Sequence, residues 1–201
     1  VTIAFTKVSL PHGWLGNMAP YPITWGGFSW RTSEAVFQAL RFRSLEIHKE
    51  IREEKSPLMA KAAAKKNFLS MYIKPCSPVD VENMEFVLRL KLNQHKELEG
   101  KLLATGSELI VEDVTSRNRP GNHRFWGAAL VGGEWVGENV LGKLWMKLRG
   151  ELEQEKHTVD CKSCKDTGVE EYRLQGEYGW ETLERDCLNC NRSNKRGLRI
   201  Q

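Results

Sequence analysis

Glu34, Gln38 and Arg41 stand at i, i+4 and i+7, a spacing that puts a carboxylate, an amide and a guanidinium on one stripe of a helix. In the first turn of that helix Glu34 lies at the positive end of the dipole, which favours its ionised form. It therefore suits the role of a base, or of a stabiliser of developing positive charge. The alternative is a helix-start carboxylate making a local pair with Arg41. Two further features point to a ligand: Asn17, in the loop 13–20, and the lead-in Gly137-Glu138-Asn139 to the last helix. A turn that opens into a helix N-terminus presents free N–H groups to a phosphate or a ribose oxygen, although Asn139 could also simply cap its helix. Trp126-Gly127 sets a flat side chain beside none at all, which is compatible with a planar base stacking there and also with an ordinary core tryptophan. His123 could face a ligand and His157 could replace a thiol at a metal site, but neither role is expected, since a loop histidine is usually just solvated and four cysteines complete a zinc shell.

Four of the five cysteines form a different constellation, Cys161-x-x-Cys164 and Cys187-x-x-Cys190, and Cys76 stands alone. Paired thiolates two residues apart fit tetrahedral zinc, so one structural zinc ion per chain is expected on Cys161, Cys164, Cys187 and Cys190, with no organic cofactor. Gly168, Asn189 and Asn191 supply the turn-forming backbone such knuckles need. A redox dithiol or incidental thiols are the other readings.

These residues sit in a chain of 201 residues, 40% hydrophobic and 28% charged, a composition of soluble globular proteins that allows one full domain and a smaller module. No run of 18 apolar residues occurs, and no basic segment precedes an apolar block near the start. No membrane partner is expected, and a cytoplasmic location is. The chain opens at Val1 rather than Met, so a trimmed or processed N-terminus is also expected. The net charge of +4 divides unevenly, with 21 Lys/Arg against 15 Asp/Glu in residues 1–150 and 9 against 11 in residues 151–201. A basic larger part suits a phosphate-bearing ligand or a nucleic acid, and is also within ordinary surface design. Arg192, Lys195, Arg196 and Arg199 crowd the end, as a tail that touches phosphates or as a solvated terminus.

The elements that must position the candidate residues follow from pattern and punctuation. Thr2 to Phe5 reads as a strand, and the segment from Leu10 to Tyr21 reads as an irregular loop. Ile23 to Trp30 reads as a hairpin turned at Gly26-Gly27. A helix is expected from Thr32 or Ser33 to Phe42, another after Ser56-Pro57, and a third from Val81 to His95 with a short successor ending at Gly106. Glu108 to Val114 and Phe125 to Val131 look extended, and the latter turns back at Gly132-Gly133 into Glu134-Trp135-Val136. Val140, Leu141, Leu144, Trp145 and Leu148 make one apolar face of a final helix. The fold class is α+β, mainly helical with a small antiparallel sheet. Apolar content is lost over residues 150–160, which separates a domain at 1–152 from a zinc-ribbon-like module at 158–201.

Taken in order, these pieces resemble the NADAR (YbiA-like) family. The matching stretches are Trp14-Leu15-Gly16-Asn17-Met18-Ala19-Pro20, then Thr32-Ser33-Glu34-Ala35-Val36-Phe37-Gln38-Ala39-Leu40-Arg41-Phe42, then Ser56-Pro57 with its alanines. They continue through Leu102 to Gly106, Glu112, Trp126-Gly127 and Gly137 to Leu144, as far as Arg149. The resemblance covers nearly all of residues 5–150 and stops short of the cysteines. It implies an N-glycosidase that cleaves a ribose C1′–N bond, in a phosphoribosylamino-pyrimidine of riboflavin synthesis or in ADP-ribose attached to guanine of a nucleic acid. It implies Glu34 as the catalytic residue, with Asn17, Arg41, Trp126, Gly127 and Asn139 as substrate contacts. The chain departs from the family in carrying Arg41 where lysine is usual, in His123-Arg124 where an acidic residue precedes the Trp-Gly, and in lacking a tryptophan ahead of the helix that holds Met84.

The expected enzyme is thus an N-glycosyl hydrolase acting on a phosphate-bearing, nucleotide-like substrate, with DNA or RNA as a further partner. The competing expectation is a non-catalytic ADP-ribose or nucleotide-binding module with a nucleic-acid-binding zinc ribbon. The group that protonates the leaving nitrogen, and the oligomeric state, are not legible.

Overall fold

The computed structural model describes residues 2–117, 123–159, 169–176 and 179–186, with side chains as far as residue 154. The chain begins with β1 (Thr2–Phe5), passes a single 3-10 turn at Gly13–Leu15, and folds β2 (Ile23–Trp25) onto β3 (Phe28–Trp30). Gly26 and Gly27 turn that hairpin with φ of 60° and 79°, a conformation that costs a residue without Cβ little.

Helices α1 (Ser33–Ala39), α2 (Leu45–Glu53), α3 (Pro57–Lys66), α4 (Pro78–Gln94) and α5 (Glu97–Leu103) follow. Each of the first four starts at a hydroxyl residue, Thr32, Ser44, Ser56 or Ser77, whose side chain accepts the N–H three residues on. Proline stands in the first turn of α3 and of α4, where its missing N–H removes no helical bond. Ala60, Ala63 and Ala64 form the buried side of α3, and these small residues let it lie close against α1 and α2. Met84, Val87, Leu88 and Leu92 bury one side of α4.

After α5 come β4 (Leu109–Glu112), the one-turn α6 (His123–Trp126), the hairpin of β5 (Ala129–Val131) and β6 (Glu134–Val136), and α7 (Val140–Val159). The buried face of α7 is Leu141, Leu144, Trp145 and Leu148.

The α+β class holds and the chain is mainly helical, but the strands do not form one antiparallel sheet. Among the described residues they make four two-stranded sheets, and β1 pairs with β4 in parallel, Thr2 against Leu109 through Phe5 against Glu112. A parallel pair needs a long crossover, supplied here by everything from residue 6 to residue 108, and the sequence carries no local signal for it. The hairpins, by contrast, announce themselves through their glycines.

Two expected boundaries shift, and one helix was not expected. α1 stops at Ala39 rather than Phe42. Phe125 is helical rather than extended, since Gly127 N–H bonds back to His123 C=O at 2.8 Å and the strand begins only at Ala129. α2 is an element that pattern reading passed over, although its Ser44 cap and the i, i+4 pair Ile47 and Ile51 were legible in the chain.

The chain divides into two compact units, Val1–Arg149 and Gly150–Gln201. In the second, β7 (Val169–Gly176) pairs with β8 (Gly179–Asp186) antiparallel, from Val169 against Asp186 to Gly176 against Gly179. Cys161, Cys164, Cys187 and Cys190 lie outside the described residues, as do Arg192, Lys195, Arg196 and Arg199. No helix among the described residues is long and apolar enough to cross a membrane.

Candidate active site

Glu34 takes its position from the start of α1. Its backbone N–H bonds to the carbonyl of Asn17 at 3.0 Å, and the Ser33 hydroxyl donates to the same carbonyl at 2.9 Å. The loop of residues 13–20 is thereby tied to the first turn of the helix. The Glu34 side chain is buried, accepts a hydrogen bond from Gln38 Nε2 at 2.9 Å, and lies 3.9 Å from the Lys61 ammonium. Lys61 projects from α3 and is itself more than half exposed.

The polar stripe of α1 forms as its spacing dictates, but Arg41 does not pair with Glu34. Gln38 stands between them, donating to Glu34 and accepting from Arg41 at 2.9 Å. Arg41 turns its fork onto Asp80 of α4, with both bonds at 2.8 Å. Asp80 is fully buried and also accepts the Cys76 N–H. A bidentate pair of this kind fixes orientation as well as charge.

Glu112 ends β4. Its N–H donates to Asn139 Oδ1 at 3.1 Å, while Asn139 Nδ2 donates to the Ile110 carbonyl at 2.8 Å. Asn139 has φ of 50° and spends its whole amide on β4 instead of capping α7. Gly127 closes the other side: Ala128 N–H bonds to the Glu112 carbonyl at 2.9 Å, and a Cβ on Gly127 would collide with that carbonyl and with Val114.

The Glu112 carboxyl is paired with Arg117 at 2.9 Å. Burial raises its pKa, Arg117 opposes the shift, and the negative charge of Glu34 adds to it, with Lys61 a further opposing charge. Carboxyl groups from distant parts of the sequence therefore lie near enough for the charge of Glu34 to act on Glu112. Among the described residues, no cluster of His, Cys, Asp and Glu could hold a metal ion.

Trp126, half-buried at the end of α6, meets Phe37 of α1 edge to face at 5.5 Å and Phe125 at 5.1 Å, and Arg41 covers the Phe37 ring at 4.4 Å. Asn17, Gln38 and Arg41 are thus linked to Glu34 by hydrogen bonds, Gly127 and Asn139 line the backbone of Glu112, and Trp126 packs on Phe37 of α1. Asn17, Arg41, Gly127 and Asn139 serve as scaffolding whose polar atoms or lack of side chain fix Glu34, Gln38 and Glu112.

Sequence reasoning matched Glu112 to the family but gave it no role, and passed over Asp80, Lys61 and Arg117. Asp80 reads as an ordinary first-turn acid beside Pro78. Only Glu112 carried a usable signal, a carboxylate closing the apolar run Leu109-Ile110-Val111.

The NADAR domain model matches residues 4–153. Among relatives, the N-glycosidase YbiA of Escherichia coli K12 is 36% identical over 154 residues, covering 77% of this chain and 90% of that protein. A riboflavin biosynthesis protein of Vibrio vulnificus is 33% identical over 157 residues, covering 76% of this chain and 39% of its own length. The NMR structure of the E. coli protein YbiA superposes with a TM-score of 0.61 at 34% identity, over 78% of this chain and 87% of that one. The match spans both carboxylates and the scaffold that holds them, so the chain belongs to the NADAR domain family and is an N-glycosyl hydrolase.

Proposed function

We propose that this N-glycosyl hydrolase breaks the C1′–N bond of an ADP-ribosylated or phosphoribosylated heterocycle, with Glu34 and Glu112 as its working pair. The observation that carries this reading is the contrast between the two carboxyl groups. Glu112 is held towards its proton-carrying form by burial and by the charge of Glu34, while Glu34 faces an amide donor and a lysine. Groups whose environments differ in this way divide the acid and base roles. Glu112 gives its proton to the departing ring or exocyclic nitrogen as the C1′–N bond breaks. Glu34 steadies the oxocarbenium-like ribosyl and takes a proton from the water that adds to C1′. The sum is hydrolysis, and Arg117 and Gln38 hold the two carboxyls in place throughout.

Trp126 offers its ring to the base, and Lys61, with most of its side chain in solvent, reaches the phosphate. Asn17, Arg41, Gly127 and Asn139 act on the substrate through the walls they fix. The riboflavin biosynthesis relative favours an aminopyrimidine ribotide as the small substrate, and the basic first domain suits a nucleic-acid carrier of ADP-ribose.

The test is a mass-spectrometric hydrolysis screen of wild type and Glu34→Gln against NAD, ADP-ribose, ADP-ribosylated DNA and RNA, and phosphoribosylamino-pyrimidines. Wild type releases a free base or aminopyrimidine, and Glu34→Gln does not while keeping ligand affinity within about tenfold. Equal turnover by the variant removes Glu34 from the mechanism. Binding of ADP-ribose without release by either protein makes the domain a nucleotide reader.

Zinc on Cys161, Cys164, Cys187 and Cys190 belongs to the same proposal. The register that sets Val169 against Asp186 supports it, because the two Cys-x-x-Cys pairs then flank the open end of one hairpin in sequence. Metal analysis of protein prepared under reducing, chelator-free conditions is expected to give one zinc per chain, and none would overturn the assignment.

A further inference from the structure

Lys91 is wholly buried on α4. It donates from Nζ to the Trp14 carbonyl and, at 3.0 Å, to the Gly16 carbonyl. Trp145 of α7 donates from Nε1 to the carbonyl between them, Leu15, at 2.9 Å. The next carbonyl, Asn17, is the one that receives Glu34 N–H and the Ser33 hydroxyl. Four consecutive carbonyls are thus each taken by a donor from outside the loop, with Lys91 at one end and the catalytic carboxylate at the other.

We propose that Lys91 is a positioning residue for Glu34, acting along this rail of carbonyls from Trp14 to Asn17; the inference rests on Glu34 being the working carboxylate.

A lysine is an expensive way to fill the interior, since an apolar side chain of the same length would occupy the space without stranding a polar head. What it adds here is two donated hydrogen bonds. Burial alone brings its amine down to about 7, and among the described residues no carboxylate pairs with it. The uncharged amine still owns two N–H groups, which match the two carbonyls it meets. The Tyr21 and Trp145 rings lie 5.0 Å and 5.8 Å from Nζ and close the chamber. Its ionisable neighbour is Tyr21, whose ring in turn meets His95 at 5.1 Å, with Glu97 3.9 Å from His95.

α4 carries two further ties on the same stripe. Met84 Sδ accepts the Asn17 amide, and Asp80 holds Arg41. Residues 80, 84 and 91 follow helical spacing, so one rigid helix sets both the loop before Glu34 and the far end of its polar stripe.

The test compares wild type, Lys91→Met and Lys91→Gln in two measurements: amide exchange at Glu34 by NMR, and kcat and KM for release of aminopyrimidine from a phosphoribosylamino-pyrimidine. Methionine fills the channel without a donor, so Lys91→Met is expected to fold, to exchange its Glu34 amide about tenfold faster, and to lose about tenfold in kcat with KM within about threefold. Lys91→Gln, which keeps an N–H pair, is expected to recover part of both effects. Wild-type exchange at Glu34 together with wild-type kcat in Lys91→Met would overturn the proposal. So would exchange accelerated uniformly over α1, α4 and α7, which marks a merely structural role. If wild type itself shows no turnover, the glycosidase reading fails, and the exchange at Glu34 alone decides whether the rail holds.

Discussion

Glu34 and Glu112 share a side chain and differ in everything around it. Glu34 accepts from Gln38 at the start of a helix, whereas Glu112 ends a strand with its carboxyl sunk beside Arg117. Because burial raises the pKa of Glu112 by more than Arg117 lowers it, with the charge of Glu34 adding to the rise, its proton persists to higher pH than that of an ordinary carboxyl. An acid catalyst works only while it carries that proton, so kcat is expected to fall as pH climbs through the raised value. Glu112→Gln should lower kcat by about 10²-fold and flatten that alkaline limb, as pH–rate profiles of the two proteins would show. An unchanged limb in the variant would assign it to another group.

Among the elements, the segment leaving α1 is tied to α4 by a buried ion pair. Arg41 and Asp80 are each almost wholly out of water, with side chains 8% and 0% exposed. Removing one partner leaves the other charge without its counter-ion inside the protein. Arg41→Ala is therefore expected to cost about 3–5 kcal/mol of stability in chemical denaturation, far more than an exposed arginine would. A loss below about 1 kcal/mol would mean that water reaches Asp80 once the guanidinium is gone. The same stripe shows how far sequence reading reaches. Spacing places Glu34, Gln38 and Arg41 on one helical face, but helical geometry allows Arg41 either Glu34 or a distant carboxylate, and only the packing of α4 against α1 selects Asp80.

For the molecule as a whole, the cost of burying Lys91 is linked to pH. Burial brings its amine down to about 7 in the folded chain from an ordinary 10.5, so between these values the unfolded chain binds more protons. Below about pH 7 the lysine is charged in both states and the penalty is full; as pH rises towards 10.5 the penalty is relieved, and stability from this group increases. Relative to Lys91→Met, wild type should gain about 1.4 kcal/mol per pH unit across that window in denaturation curves. Parallel pH dependences of the two proteins would show that the lysine titrates normally.

The sequence by itself determined what local physics can determine. A hydroxyl cap and a first-turn proline start α3, paired glycines turn the first two hairpins, and the apolar period of Val140 to Leu148 makes the final helix. The ordered motifs carried the family and brought Glu34 forward as its carboxylate. Tertiary structure alone decided the parallel pairing of β1 with β4, which depends on contacts more than 100 residues apart. It also decided which groups are donors to which. Asn139 could cap a helix or hold a strand, and the nearness of β4 settles its amide on Glu112 and Ile110. The acid role proposed for Glu112 depends on where that strand ends in the fold, because burial and the charge of Glu34 act on the carboxyl together there. A carboxylate's type is written in the chain, but its proton affinity belongs to whatever surrounds it in space.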